Sequence, residues 1–381
     1  MRYDIVIVGG GMVGAACAIA LQSTGLRIAL IDATASFSED HRLIALNHSS
    51  FSLLKNLGVW DQLEPFAAAI KEVHVSNRGH FGATRLSAQE MELSALGFVV
   101  PAKEINSALY ARLNKTDLLR PEKLISLTNE KNSIFLTLQN RTLEATLLIA
   151  ADGTHSTVRN LLAIPTDIID YKQTALVTVT ELQRDHDNIA YERFLPNGAI
   201  AMLPLTGQRV ATIWSGDEAN VSQLLKLSDD EFLFELQKQF GYRLGRLQKV
   251  QQRFGYPLKF VHAKQYIKDN IILIGNAAHT VHPIAAQGLN LALYEIAVLA
   301  EHLRTQSSEN LSLANLSNNL PQQNVSLNLS HRLTQLFSAD FFLLHAARQA
   351  GMIGLDICGS VKKKFIRSAL GRSGRVPTLL T

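Results

Sequence analysis

Cysteine is nearly missing from this chain: there are two, Cys17 and Cys358, in 381 residues. They form no C-x-x-C pair, which excludes a zinc ribbon and a disulfide framework, and a reducing compartment such as the cytoplasm fits. Cys17 falls inside an apolar helical run and reads as a small filler. Long hydrophobic stretches are missing too. None reaches the roughly 20 uninterrupted apolar residues of a membrane-spanning helix; the best candidate, 341–357, is broken by His345, Arg348, Gln349 and Asp356. Charge of one sign is not in excess, since 37 basic against 33 acidic side chains leave +4. No nucleic-acid-binding motif accompanies so mild a surplus, so nucleic acid is not an expected partner. His279 and His282 have no carboxylate or cysteine partner at ligand spacing, so no metal is expected. The N-terminus runs straight into a strand pattern, without the features of a secretory leader.

What is present points to a nucleotide-binding enzyme. With 47% hydrophobic residues the chain can bury a large core, as one large or two interleaved domains. Residues 3–8 are an Ile/Val-rich run, as expected of a buried parallel strand. Gly9, Gly11 and Gly14 follow as G-x-G-x-x-G, with Met12 and Val13 inside the motif. The first glycine allows the tight turn, the second the approach of a pyrophosphate, the third close packing of the next helix. That helix, over 15–26, offers its N-terminal N–H groups to phosphates. A second strand over 27–31 ends at Asp32, placed to bind a ribose hydroxyl.

Two more motifs lie far downstream: Ala151-Asp152-Gly153-Thr154-His155-Ser156-Thr157-Val158-Arg159, and Gly275-Asn276-Ala277-Ala278-His279 running through Pro283 to Gln287-Gly288-Leu289-Asn290. Between them, strand-like runs at 175–181, 191–195, 200–204 and 209–215 predict an antiparallel sheet as a second layer. Residues 73–78 alternate like a strand, residues 229–240 read as a helix, and another helix is predicted over 289–304. The stretch 305–330 is either a frayed helix pair or a surface linker. Leu333, Leu336, Phe337, Phe341 and Leu344 have helical spacing. A basic tail follows: Lys362, Lys363, Lys364, Arg367, Arg372 and Arg375, with no acid after residue 360.

In order and spacing the three motifs resemble those of the flavin monooxygenases of the para-hydroxybenzoate hydroxylase type. Within that family the chain looks most like the ubiquinone-biosynthesis hydroxylases, in particular the branch of 2-octaprenyl-6-methoxyphenol hydroxylase. The stretches Val73 to His80, Glu192-Arg193-Phe194, Ala201-Met202-Leu203-Pro204, Phe240 to Gly245, Tyr256-Pro257-Leu258 and His282-Pro283-Ile284-Ala285 carry that likeness.

The resemblance implies an α/β fold: a Rossmann-like FAD-binding domain (1–72, 98–165, 266–305), an antiparallel-sheet substrate domain interleaved with it (73–97, 166–265), and a helical C-terminal region (306–381). It implies FAD as cofactor, NAD(P)H and O2 as co-substrates, and hydroxylation of a prenylated phenol in ubiquinone biosynthesis, with no acid–base constellation demanded of the protein. Arg42 would line the path of flavin and nicotinamide, and Asp152 and Gly153 would organise FAD and the pyrophosphate of NAD(P)H. Arg159 would anchor their loop. Relatives carry Gly-Asp where this chain has Gly275-Asn276; the Asn carbonyl can still accept a ribityl hydroxyl, without charge. A glycine of the usual pattern is Ala286 here. Pro283 would lie against the isoalloxazine ring, with Gly288, Leu289 and Asn290 turning N–H groups to its pyrimidine edge. Met202 and Pro204 would roof the substrate. Two alternatives stay open: a sister hydroxylase acting at another ring carbon, and a weakly active flavoprotein subunit of a biosynthetic assembly with other ubiquinone-biosynthesis proteins. The basic tail would either dock peripherally on the inner face of the cytoplasmic membrane or simply end a packed helix.

Overall fold

The computed structural model describes residues 1–36, 40–79, 83–130, 133–280, 287–314, 316, 359–371 and 376–381. Three sheets organise it. The first runs β18 (Ile267–Lys268), β19 (Ile271–Leu273), β11 (Thr142–Ala150), β1 (Arg2–Val8), β2 (Ile28–Ile31), β8 (Asp117–Leu119), with β10 (Ile134–Leu138) and β9 (Leu124–Asn129) extending from β11. Its centre, β19–β11–β1–β2–β8, is parallel. A parallel sheet is covered on both faces, which is why β1, β2 and β11 read as nearly continuous Ile, Leu and Val. One face is packed by α1 (Met12–Leu21), α4 (Ala102–Tyr110) and α8 (Gln287–Leu303) through Ile5, Ile7, Ile19, Ile105 and Ile296. α1 is apolar all round, and Gly14 through Leu21 are buried without exception. Leu311, Leu313 and Leu316 join the same core.

The second sheet is small: β3 (Leu43–Asn47), β7 (Gly97–Pro101), β4 (Ala68–Ile70). It did not stand out in the sequence, because its strands are short. The helices α2 (His48–Asn56) and α3 (Trp60–Leu63) follow β3, and α5 (Thr157–Leu161) begins within the second motif.

The third sheet has nine strands: β20 (His279–Thr280), β17 (Phe254–Ala263), β12 (Thr166–Leu182), β15 (Arg209–Asp217), β14 (Gly198–Leu205), β13 (Ile189–Leu195), β5 (Glu72–Asn77), β6 (Ala83–Ser87), and β16 (Leu247–Val250) beside β12. Most pairs are antiparallel; β13 with β5 is parallel. The outer face is covered by α6 (Glu218–Leu224) and α7 (Asp229–Phe240), which bury Val221, Phe232, Leu236 and Phe240 against Leu176, Ile200, Met202 and Trp214. A capping box between Ser228 and Glu231 starts α7. Half of the inner face packs on the small sheet, with Ala190, Leu203, Leu205 and Ala211 against Leu43, Ala45, Ile70 and Val99.

The helix Gly359–Ala369 lies against β6 and its following turn, where Ile366 and Leu370 pack with Leu86, Ala88 and Leu96. The expected helical run with Leu333 to Leu344, and the apolar stretch 341–357, lie outside the described residues. Among the described residues no helix is long and apolar enough to cross a membrane.

Candidate active site

The three motifs meet at the C-terminal ends of β1, β11 and β19. A Cβ on Gly9 would sit 2.4 Å from the Ala151 carbonyl oxygen, and one on Gly14 would sit 1.8 Å from the Gly9 carbonyl oxygen. Both glycines are therefore consumed by packing. Gly11, the N-cap of α1, meets nothing within 4 Å. Its free side faces open space above the unpaired N–H groups of the helix start. Asp32 is held rigidly beside it: Oδ2 accepts from Gly10 N at 2.7 Å, and Oδ1 accepts from Thr34 N at 2.7 Å and Thr34 Oγ1 at 2.6 Å. Tyr110 Oη donates to the Gly10 carbonyl at 2.7 Å. Burial, and then the Asp32 charge, push this phenol up to about 12, so it stays a donor. Nothing in the sequence singled out Tyr110; it merely ends an amphipathic helix.

Val13 seats the third motif on the first. The φ of Gly275 is +56°, and a Cβ there would meet both Val13 methyls at 3.1 Å. Met12 packs partly buried on the same core. In the second motif Asp152 Oδ2 accepts from Val158 N at 3.1 Å, while Oδ1 is buried with no partner among the described residues. Gly153, at φ +81°, faces open space. Arg159 ties the second motif to the third, donating from Nη1 to the Ala277 carbonyl at 2.8 Å and from Nη2 to the Thr154 carbonyl at 2.7 Å.

Glu295 of α8 is a residue that sequence reasoning missed. One carboxylate oxygen accepts from Gly275 N at 2.7 Å, and the other makes a short contact with His279 Nε2. It thereby fixes the turn that carries the half-buried Asn276. Its only sequence signal is an acid inside an apolar helix. Asn290 clamps the start of α8 to β3: Oδ1 accepts from Asn47 N at 2.9 Å and Nδ2 donates to the Ala45 carbonyl at 2.9 Å. Gly288 and Leu289 lie in the first turn of α8, whose initial N–H groups have no intrahelical partner. Pro283 and Ala286 lie outside the described residues.

Arg42 is engaged with Asp40, Nε to Oδ1 at 2.8 Å and Nη2 to Oδ2 at 2.7 Å. Burial works against the Asp40 charge, but the bonds from Arg42 outweigh it and hold the carboxyl below its usual range. The preceding His41 ring stacks on Phe254 at 4.4 Å, so this loop touches the nine-stranded sheet.

The roof differs from expectation. Met202 is fully buried on the outer face, among Phe232, Phe240 and Trp214. Strand alternation puts Pro204 on that face as well. The inner face is carried instead by Ala201 and Leu203, one residue out of phase. The run of apolar residues in β14 concealed the phase, since both faces carry apolar side chains. One row across six strands now defines the underside: Val75, Glu192, Ala201, Ile213, Val177 and Phe254. All six retain some accessible surface in mid-sheet, whereas their strand neighbours on the outer face, among them Met202, Trp214 and Leu176, are buried. Open space therefore runs beneath this row.

Residues 2–313 match the family model for the FAD binding domain. The chain belongs to this family. A ubiquinone hydroxylase, UbiL, of Rhodospirillum rubrum is 32% identical over 97% of this chain and 89% of its own length. The 3-demethoxyubiquinol 3-hydroxylase of Escherichia coli is 29% identical over 97% of this chain and 98% of its own. In fold the chain is similar to p-nitrophenol 4-monooxygenase PnpA from Pseudomonas putida, with a TM-score of 0.76 at 16% identity, covering 98% of this chain and all of that one. It is an FAD-dependent monooxygenase of the ubiquinone-hydroxylase kind.

The site fits that cofactor on its own terms. The open side of Gly11 meets no protein atom within 4 Å, Asp32 is fixed at the cradle by Gly10 N, and Asp152 Oδ1 is buried without a partner among the described residues. The α8 start, held by Asn290, presents a positive dipole end. Among the described residues no group of His, Cys, Asp and Glu is arranged to hold a metal ion.

Proposed function

We propose that this FAD-binding monooxygenase uses NAD(P)H and O2 to hydroxylate the ring of a polyprenyl methoxyphenol, a ubiquinone precursor. The observation that carries the reading is the open row beneath the nine-stranded sheet: five apolar residues and one carboxyl, bordered by the loop of His41 and Arg42. FAD, when bound and reduced, supplies the means of placing one oxygen atom of O2 on an electron-rich ring. The chain's own residues do the rest. Gly11 and the first turn of α1 bind the pyrophosphate, Asp32 the ribose, and Asn276 the ribityl chain. Val75, Ala201, Ile213, Val177 and Phe254 exclude water and hold the ring flat below the sheet. Arg42, detached from Asp40, has the charge and reach to meet the dinucleotide at the rim.

The branch resemblance favours attack para to the phenolic oxygen. The kinship with the 3-demethoxyubiquinol hydroxylase of Escherichia coli favours a second reading, attack at another ring carbon. Purified protein given short-chain prenyl phenols should oxidise NAD(P)H in step with a product heavier by one oxygen, whose ring position separates the two readings. NAD(P)H oxidation that no phenol stimulates would remove both.

A substrate of this kind resides in a bilayer, and the C-terminal helix offers a peripheral contact on the inner face of the cytoplasmic membrane. Lys362 is taken by Glu90 at 2.9 Å, but Lys363, Lys364 and Arg367 are exposed. Anionic lipid attracts about 1 kcal/mol per such cation. Reversing these three charges should abolish flotation with anionic liposomes at low salt; unchanged flotation counts against the contact. Deleting the helix is the poorer test, since it would bare Leu86 and Leu96.

A further inference from the structure

Glu192 is the one ionisable residue in the row that lines the open space. Its cross-strand neighbours on the same face are Val75 and Ala201. The next row holds Asn77, Phe194 and Ala199, and the row before holds Val73, Ala190 and Leu203. From the small sheet, Leu43, Ala45 and Val99 pack nearby. None of these carries charge. The flanking Arg193 points to the outer face, beside Arg243 and Arg78. Among the described residues the Glu192 carboxyl makes no hydrogen bond or ion pair. A carboxylate set among apolar side chains loses part of its hydration, so a carboxyl in this setting needs a reason.

The setting supplies one. Ala201, directly across from Glu192, is small, so no long side chain from that strand crowds the carboxyl. Glu192 lies deep in the protein yet keeps part of its surface open, as expected of a group lining a cavity rather than filling a core. We propose that the Glu192 carboxylate receives the phenolic hydroxyl of the ring substrate, accepting its hydrogen bond and then its proton. The phenol O–H bond breaks, the proton passes to a Glu192 carboxylate oxygen, and the electron pair stays on the phenolate oxygen. No redox change occurs in this step. The ring becomes more electron-rich, which is what hydroxylation requires; the proton leaves to solvent after product release. Burial alone lifts the Glu192 carboxyl to about 7. It is thus a stronger base than an ordinary carboxylate while remaining substantially ionised at neutral pH, the match expected of a general base.

This inference rests on the ring-hydroxylase reading, so its test separates the two. The holoprotein and Glu192→Gln are compared, with flavin content and melting temperature as controls for folding. Simple phenols and their O-methyl ethers are titrated while the flavin absorbance is followed, a measurement that needs no turnover. Wild-type protein should prefer phenols over ethers by tenfold or more, and Glu192→Gln should lose the preference. Where turnover is measurable, product formation in Glu192→Gln should fall a hundredfold or more. The acid limb of kcat/KM, lost as pH falls through about 7 in wild type, should vanish. Equal binding of phenols and ethers by wild type, or an unchanged acid limb and product rate in Glu192→Gln, overturns the assignment. Because Glu192→Gln is close to isosteric, a variant that fails to fold is answered by the wild-type titration alone. A wild type that prefers phenols yet hydroxylates no prenyl phenol contradicts the substrate reading, not the role of Glu192.

Discussion

Gly11 and Gly14 belong to one motif, yet the space around them separates binding from folding. A Cβ at Gly11 meets no protein atom within 4 Å, so Gly11→Val should fold with unchanged melting temperature as apoprotein and lose FAD, because the side chain fills the pyrophosphate cradle. Gly14→Ala drives a methyl into the Gly9 carbonyl and should destabilise the fold by about 1–3 kcal/mol or more. Thermal melts with and without added FAD distinguish the two. Asn276→Asp should be tolerated and retain FAD at least as firmly, since a carboxylate forms the stronger bond to a hydroxyl; flavin release during dialysis measures it. His74 gives a pH signature. Burial, then the charges of Arg243, Arg85 and Arg193, pull its pKa down to about 4. Arg243 Nη1 lies 2.7 Å from His74 Nε2, which accepts only as neutral imidazole. The folded pKa lies below the unfolded one, near 6.5, so the unfolded chain binds the proton more readily. Stability should be full above pH ~6.5 and fall by roughly 2–3 kcal/mol as pH drops toward 4. Denaturation of wild type and His74→Gln across that range should show the slope flattened in the variant.

At the scale of elements, α8 does more than cover the sheet. Glu295 holds Gly275 and His279 from one side of the helix, and Asn290 holds β3 from its start. Glu295→Ala would leave a backbone N–H and a buried imidazole nitrogen unsatisfied. We expect a loss of about 2–5 kcal/mol in stability, with FAD released more readily than from wild type, read by melting and by flavin retention on gel filtration. This network also marks where sequence reading ran out. The strand–turn–helix unit and Asp32 were legible because glycine spacing and apolar periodicity encode local geometry. The helix 229–240 was legible for the same reason, as Ser228 and Glu231 cap it. Glu295, Tyr110 and the tie from Arg159 to Ala277 span long separations that no local pattern records. The phase of β14 was hidden because both of its faces carry apolar side chains. β17 was missed because Gly255 and Pro257, residues that strands avoid, mask the alternation of Phe254, Tyr256, Leu258 and Phe260.

The whole molecule shuttles between its sheets. The chain makes β1 and β2, leaves for the small sheet, builds β5 and β6, and returns to the small sheet and then the first. It then lays down β12 to β17, goes back for β18 and β19, and gives β20 to the nine-stranded sheet. The parallel pairing of β5 with β13 is the seam of this route. During synthesis the β5–β6 hairpin, with Val73, Val75 and Leu86, emerges without its neighbour and must wait until residues 189–195 have left the ribosome. Until then its edge is open to pairing with another chain. Long-range pairings of this sort are slow to form. Nascent chains halted before residue 189 should therefore be cut readily by protease within 72–87, and chains halted beyond about residue 280 should be protected there. The same seam that brings Glu192 beside Val75 makes the newborn protein a client for whatever shields unpaired strands in the cell.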